Sequence, residues 1–308
     1  MTRTGTRKSG LNDLPTEQIN HAARDLDCLS SLEIARLINR EDATIAAAVR
    51  RALPQIARAI DVVADGLRRG GRLIYVGAGT SGRLGALDAS EIPPTFNVDP
   101  RSVQFIMAGG PRALGASTEA SEDNTHVAVA EMKKRRPTRN DTIVGIASSG
   151  RTPFTIAAVD YARRRGAHTI ALTCVRNSPL AQAADFAIVT DVGPEVLAGS
   201  SRMKAGTAHK MVLNMISTGA MCRLGYVYSS LMVNVWTKNQ KLAQRALRII
   251  AEATGADPGA AASALEASGN RTSIAVVMLA ADVSRAKAAA ALKKTRGHVR
   301  QAIAIARH

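Results

Sequence analysis

The chain has 308 residues, 46% hydrophobic and only 3% aromatic, enough to bury a large core built mostly from Ala, Val, Leu and Ile, as one big domain with appendages or two small ones. A formal charge of +16 raises the question of nucleic acid, but Lys and Arg are spread from Arg3 to Arg307 without any zinc-finger, basic-zipper or RNA-binding signature, so no nucleic-acid partner is expected. Three scattered cysteines (Cys28, Cys174, Cys222), no secretory signal and no bilayer-length apolar run lead us to expect a soluble, cytoplasmic protein with no membrane partner.

Residues 1–15, dominated by Thr, Arg, Lys, Ser and Gly, read as a flexible extension. From Thr16 to about Arg69 the spacing of Leu32, Ile34, Leu37 and Ile38, then of apolar residues from Ile45 to Ile60, predicts amphipathic helices broken near Pro54. Beyond Arg72 the pattern changes. Short β-rich runs at 73–76, 103–107, 142–146, 169–173 and 186–190 alternate with helical patterns at 84–91, 114–134, 153–165 and 178–183. Strands that are apolar throughout and alternate with helices predict an α/β fold, a doubly wound parallel sheet covered on both faces. A long apolar helix is expected from about Lys204 to Gly225. From about Lys238 the chain reads as helical to its end, punctuated at 255–258, 268–270 and Asp282 into three or four short helices. The expected division is 1–15, an extension; 16–70, N-terminal helices packed on the core; 71–236, the α/β domain; and 237–308, a small helical module.

In an open α/β sheet, ligands bind where the carboxyl ends of strands lead into helix N-termini. Gly77-Ala78-Gly79-Thr80-Ser81-Gly82 follows the first strand. Its glycines let a ligand approach the backbone, the helix start offers unpaired N–H groups, and Thr80 and Ser81 add hydroxyls. Ala147-Ser148-Ser149-Gly150-Arg151-Thr152 repeats the device after the third strand, just ahead of Pro153. Taken as plain turns, both loops would use Ser and Thr as helix caps. The first also matches the GxGxxG of dinucleotide sites, but Asp99 lies before the next strand rather than at its end. Two hydroxyl-rich loops suit a compact phosphomonoester better than a pyrophosphate. Expected phosphate contacts are Gly79, Thr80 and Ser81 from one loop and Ser148, Ser149, Gly150 and Thr152 from the other. A third segment, 199–207, opens the long helix with hydroxyls and cations, and adds Ser200, Ser201 and Lys204. No metal site is expected.

These loops resemble those of sugar isomerase (SIS) domains. The longer strings are more particular. Gly77 to Gly85, Leu87-Asp88-Ala89-Ser90-Glu91 with Pro93-Pro94, Ala108-Gly109-Gly110, Glu122-Asp123, and Gly199 to Lys210 running on to Leu213-Asn214 resemble the N-acetylmuramic acid 6-phosphate etherase family, as do Thr16 to Asn20 and Leu26-Asp27. The resemblance spans from about Thr16 to beyond Lys241. It implies a SIS-type fold, a homodimer, a phosphosugar substrate, and no metal or dissociable cofactor. It also implies a carbon–oxygen lyase that removes the D-lactyl ether of N-acetylmuramate 6-phosphate, giving N-acetylglucosamine 6-phosphate and D-lactate in cell-wall recycling. Ile92, standing where a small residue or Cys is expected, departs from the pattern.

With the sugar ring open, the C2 proton lies α to an aldehyde and can be taken by a base while an acid helps the C3 lactyl oxygen to leave. Glu91 falls on the family's proton-donor position. Glu122 falls on the second catalytic carboxylate, assigned as base, and the two roles are open to exchange. Glu119, three residues from Glu122 on the expected helix, is a rival; Glu195 is a candidate to line the pocket, and His209 invites an acid–base role but, inside the long helix, is expected to pack or cap. A continuous helix from Ser81 would carry Glu91 about 15 Å from the loop. The helix must therefore end before Pro93-Pro94, or Glu91 must serve the partner subunit's site. A non-catalytic sugar-phosphate sensor and a phosphosugar isomerase are the other readings, since both would keep the binding loops.

Overall fold

The structure, a computed structural model, describes residues 14–116, 119–235 and 240–308. Residues 1–13 of the expected extension and the expected boundary at 236/237 lie outside the described residues. The chain divides into two compact units: one runs up to Asp88 and resumes over Gln104–Ile216, the other takes Ala89–Val103 and Ser217–His308.

The first unit opens with short 3-10 turns and then α1 (Ser31–Asp42), which starts in a capping box: the Ser30 hydroxyl takes the Glu33 N–H while the Glu33 carboxylate takes that of Ser30. α2 (Ile45–Arg51) and α3 (Leu53–Arg68) follow. The expected break near Pro54 falls at Ala52, between α2 and α3, and Pro54 sits in the first turn of α3, where its missing N–H costs nothing.

The sheet comes next, with β1 (Leu73–Gly77), β2 (Val103–Met107), β3 (Thr142–Ile146), β4 (His168–Thr173) and β5 (Phe186–Val189) in the order β2-β1-β3-β4-β5. β1, β3, β4 and β5 pair in parallel, with Leu73 opposite Thr142 and Gly77 opposite Ile146. Every residue of β1 and β3 is buried, as continuous apolar runs require of a sheet covered on both faces. Ile74, Val76 and Ile143 pack with Phe154, Ala158 and Val159 of α6 (Pro153–Arg164) and with Leu180 of α7 (Pro179–Ala183). Each large side chain so buried stabilises the unit by about 1.5–3 kcal/mol.

Two helices differ from expectation. α4 runs Gly79–Phe96, straight through Pro93 and Pro94, instead of stopping ahead of them. Prolines near a helix end remove only a pair of hydrogen bonds, and burial of Ile92 and Phe96 favours keeping the last turn; Asn97, at φ +53°, ends it. The expected helix over 114–134 is interrupted. Residues 110–114 and 119–121 form 3-10 turns, and α5 (Thr125–Arg135) begins where the Asn124 side chain accepts the Val127 N–H. α8 (Lys204–Arg223) is the expected long helix.

In the second unit, β6 (Val227–Tyr228) and β7 (Leu231–Met232) form a small antiparallel ribbon. Five helices follow rather than three or four: α9 (Gln240–Thr254), α10 (Pro258–Ala267), α11 (Thr272–Ala281), α12 (Arg285–Lys294) and α13 (Val299–Ala306). The extra division falls at Arg296 and Gly297, both at positive φ. Ile249, Ile250, Leu265, Ile274, Leu292 and Ile303 share one core there.

Candidate functional site

In the order β2-β1-β3-β4-β5 the chain leaves β1 for one side and returns from β2 to the other. The switch point therefore lies between the carboxyl ends of β1 and β3, where helix N-termini on both sides leave a crevice. The two hydroxyl-rich loops leave the sheet at these two ends.

At the end of β1 the backbone doubles back so tightly that a Cβ on Gly77 would lie 2.8 Å from the Gly82 nitrogen, and one on Gly82 would lie 2.7 Å from the Met107 side chain. Gly79 takes φ +51° as α4 begins. Thr80 and Ser81 are half-buried in the first turn. At the end of β3, Gly150 takes φ +64° and a Cβ there would meet the Ser178 hydroxyl at 2.2 Å. The Ser148 carbonyl accepts from the Cys174 N–H at 2.9 Å and the Thr173 hydroxyl at 3.1 Å, and the Ser149 hydroxyl accepts from the Arg151 N–H. Thr152 is the N-cap residue of α6, yet its hydroxyl makes no capping bond.

Glu122 joins the two loops. It stands in the turn after the 119–121 3-10 turn, half-buried, not on a helix shared with Glu119. Its carbonyl accepts the Phe154 N–H at 2.9 Å, next to the start of α6. Its Oε1 lies 3.2 Å from where a Cβ on Gly79 would stand. Arg83 steadies the preceding segment by donating to the carbonyls of Leu114 and Ala116. The Glu119 side chain lies outside the described part of the structure.

The third segment also reaches this neighbourhood. A Cβ on Gly206 would lie 3.5 Å from the Thr80 methyl, so the first turn of α8 abuts the first loop. Ser200 and Ser201 are half-buried in the turn leading to it. Lys204 is turned inward: its Nζ donates to Glu41 Oε2 at 2.8 Å, and its side chain is 3% exposed. Glu195 is a cap rather than a pocket wall. Its two oxygens accept the Lys204 and Ala205 N–H groups, each at 2.9 Å, and burial raises its pKa above the ordinary carboxylate value.

Glu91 lies in the second unit, exposed on α4. Three residues earlier on the same helix Asp88 is buried, accepting the Tyr75 hydroxyl at 2.7 Å and the Asn214 amide at 3.1 Å; this net ties α4 to β1 and α8. His209 packs inside α8, fully buried, its Nε2 3.7 Å from Cys174 Sγ and its Nδ1 without a partner. Burial depresses its pKa to about 4 and pushes the Cys174 thiol up to about 12, so both are neutral and inert near neutral pH. Glu41 and the Asp88 net carry no signal in the sequence beyond their place near matched strings, because their partners are far along the chain. Among the described residues no group of three or more His, Cys, Asp or Glu is placed to hold a metal, and no helix is long and apolar enough to cross a membrane.

Two family models match the chain: the glucokinase regulatory protein N-terminal SIS domain over residues 55–163, and the SIS domain over residues 125–218. The N-acetylmuramic acid 6-phosphate etherase of Streptomyces avermitilis is 51% identical over 296 residues, covering 96% of this chain and 95% of its own. That of Symbiobacterium thermophilum is 54% identical over 274 residues, covering 89% and 91%. A solved phosphoheptose isomerase from Francisella tularensis aligns with a TM-score of 0.49 at 19% identity, over 62% of this chain and 98% of its own.

Proposed function

The chain belongs to the N-acetylmuramic acid 6-phosphate etherase family, built on the SIS fold, and from that premise we propose that it cleaves the D-lactyl ether of N-acetylmuramic acid 6-phosphate to N-acetylglucosamine 6-phosphate and D-lactate. The observation that carries the proposal for the site is the place of Glu122, its carbonyl on the start of α6 and its carboxylate against Gly79. A carboxylate there stands beside both phosphate loops, within reach of the sugar whose phosphate they hold.

In this reading Thr80, Ser81, Ser148, Ser149 and Thr152 offer hydroxyls to the phosphate. Gly79 and Gly150 let it approach the backbone, Ser200 and Ser201 complete the rim, and the start of α4 supplies N–H groups and a positive dipole end. Glu122 takes the C2 proton of the open-chain aldehyde. The electron pair forms the C2–C3 double bond, the C3–O bond breaks, and Glu91 protonates the departing lactyl oxygen. Water then adds to the unsaturated aldehyde, its hydroxyl to C3 as Glu91 recovers the proton, while Glu122 returns one to C2. Two carboxylates suffice if one starts protonated and one ionised.

Glu91 is ten residues past Ser81 on one unbroken helix, about 15 Å along its axis at 1.5 Å per residue. Since the helix does not end early, we assign Glu91 to the site of a second copy of the chain in a homodimer. A cytoplasmic setting goes with this reading.

The test is D-lactate release from N-acetylmuramic acid 6-phosphate by purified protein in EDTA, with Glu91→Gln and Glu122→Gln alongside. We expect lactate from the wild type, and each variant to lose on the order of 10²–10⁴-fold in kcat while still binding the sugar phosphate. Sugar phosphate bound without lactate would instead favour a regulatory sensor, which the match to the glucokinase regulatory protein domain keeps in view. Full activity in either variant would remove that residue from the mechanism.

A further inference from the structure

Lys204 has the chemistry of a phosphate ligand and the position of something else. Its ammonium is buried against Glu41 at 2.8 Å, with side chains 3% and 17% exposed, and the Asn20 amide donates to the same Glu41 oxygen at 2.8 Å. Its backbone N–H, with that of Ala205, is taken by Glu195, itself 1% exposed. The first N–H groups that would make the start of α8 an anion site are thus already occupied by a carboxylate, and the Lys204 ammonium by another. Two acidic side chains thus engage Lys204, one at its ammonium and one at its backbone N–H. A phosphate dianion brought to Lys204 would meet both, and would have to strip Glu41 of a partner in a place where an unpaired charge is poorly solvated.

We propose that Glu41 and Glu195 clamp Lys204 from its two ends, making Lys204 a positioning residue that fixes the first turn of α8, while the substrate phosphate is held by the loops after β1 and β3. What the clamp positions is visible in the same turn. The Gly206 N–H returns to the Ser201 carbonyl at 3.0 Å and that of Met203 to Ser200, so the Ser200–Ser201 rim is built onto the segment that the clamp holds. Gly206 in turn lies against Thr80 of the first loop. Glu41 belongs to α1, so the N-terminal helices contribute to substrate binding without touching substrate. This rests on the etherase reading of the site and sharpens it, by saying which of the expected phosphate contacts is indirect.

The two roles for Lys204 predict opposite signs for one substitution. Glu41→Gln leaves the ammonium without its ion partner. If Lys204 is a direct ligand, freeing it leaves KM for N-acetylmuramic acid 6-phosphate unchanged or lower. If it is a positioning residue, KM rises, we expect about tenfold, with kcat within about threefold of wild type. The double variant Glu41→Gln with Lys204→Met strands neither charge and should recover KM to within about threefold of wild type, whereas Lys204→Met alone should not. An unchanged or lower KM in Glu41→Gln, or a double variant as impaired as Lys204→Met with equal thermal stability, would overturn the proposal. Should Lys204→Met fail to fold, Glu41→Gln alone still decides. Titration of each variant with N-acetylglucosamine 6-phosphate reads the same ratios as Kd, so absence of lactate from the wild type would sink the etherase reading and leave the clamp still judged.

Discussion

At the scale of single residues, environment separates groups that look alike in composition. His209 is the side chain whose ordinary pKa suits acid–base work near neutrality, but it is sealed in α8 and its pKa is depressed to about 4. The unfolded chain therefore takes up a proton near pH 6.5 that the folded chain refuses until about pH 4. Stability from this residue is present above pH 6.5 and drains away as pH falls between those values, by on the order of 3 kcal/mol. His209→Leu should flatten that part of the curve, seen as a smaller drop in thermal midpoint between pH 7 and pH 4; an unchanged slope would show that His209 is not its source. Glu122, half-buried in its turn, sets its carboxylate against Gly79 beside the loops instead.

At the scale of elements, capping and latching decide where the loops stand. Asp141, just ahead of β3, accepts from the backbone and guanidinium of Arg72, just ahead of β1, and from the backbone and hydroxyl of Thr138. These bonds hold the amino ends of the two strands whose carboxyl ends bear the two hydroxyl-rich loops. Burial pushes the Asp141 carboxyl up, but the bonds from Arg72 and Thr138 outweigh it and hold the pKa below the usual value of 3.8. The stabilisation is therefore full above about pH 4 and is lost as pH falls through the lowered value. Asp141→Ala strands the Arg72 guanidinium, and should cost about 3 kcal/mol in urea unfolding at pH 7, with a smaller deficit at pH 3. An equal deficit at both pH values would mean that the carboxylate charge is not what matters. The same scale explains α4, in which two prolines cost less than unburying Ile92 and Phe96 would.

At the scale of the whole molecule, the proposed sharing of a site between copies makes a quantitative prediction. Glu91→Gln and Glu122→Gln are each expected to be inactive. Mixed as one population of dimers, half the pairs are heterodimers, and one of the two sites in each has both carboxylates, so co-expression should restore about a quarter of wild-type lactate release. No recovery above the separate variants, with mixed dimers shown to be present, would place both carboxylates in the same subunit.

Much of this was legible without coordinates, and for a local reason. The strands came out within a residue of their expected ends because apolar runs bounded by Gly and Ser need no distant partner to be read. The tight turns of the two hydroxyl-rich loops followed from glycines that only a strand-to-helix turn of this kind requires. Length of α4, the break before α5 and the fate of Lys204 were not legible. Each is settled by competition between a local preference and a contact made elsewhere: proline against buried Ile92, a helical pattern against an Asn124 cap, a basic residue's affinity for phosphate against a glutamate 163 positions away. Sequence alone determined the order of elements and the place of the hydroxyl-rich loops at the strand ends. Only the tertiary structure decided which charges are already spent on one another, because pairing depends on distance in space and on the water that folding removes.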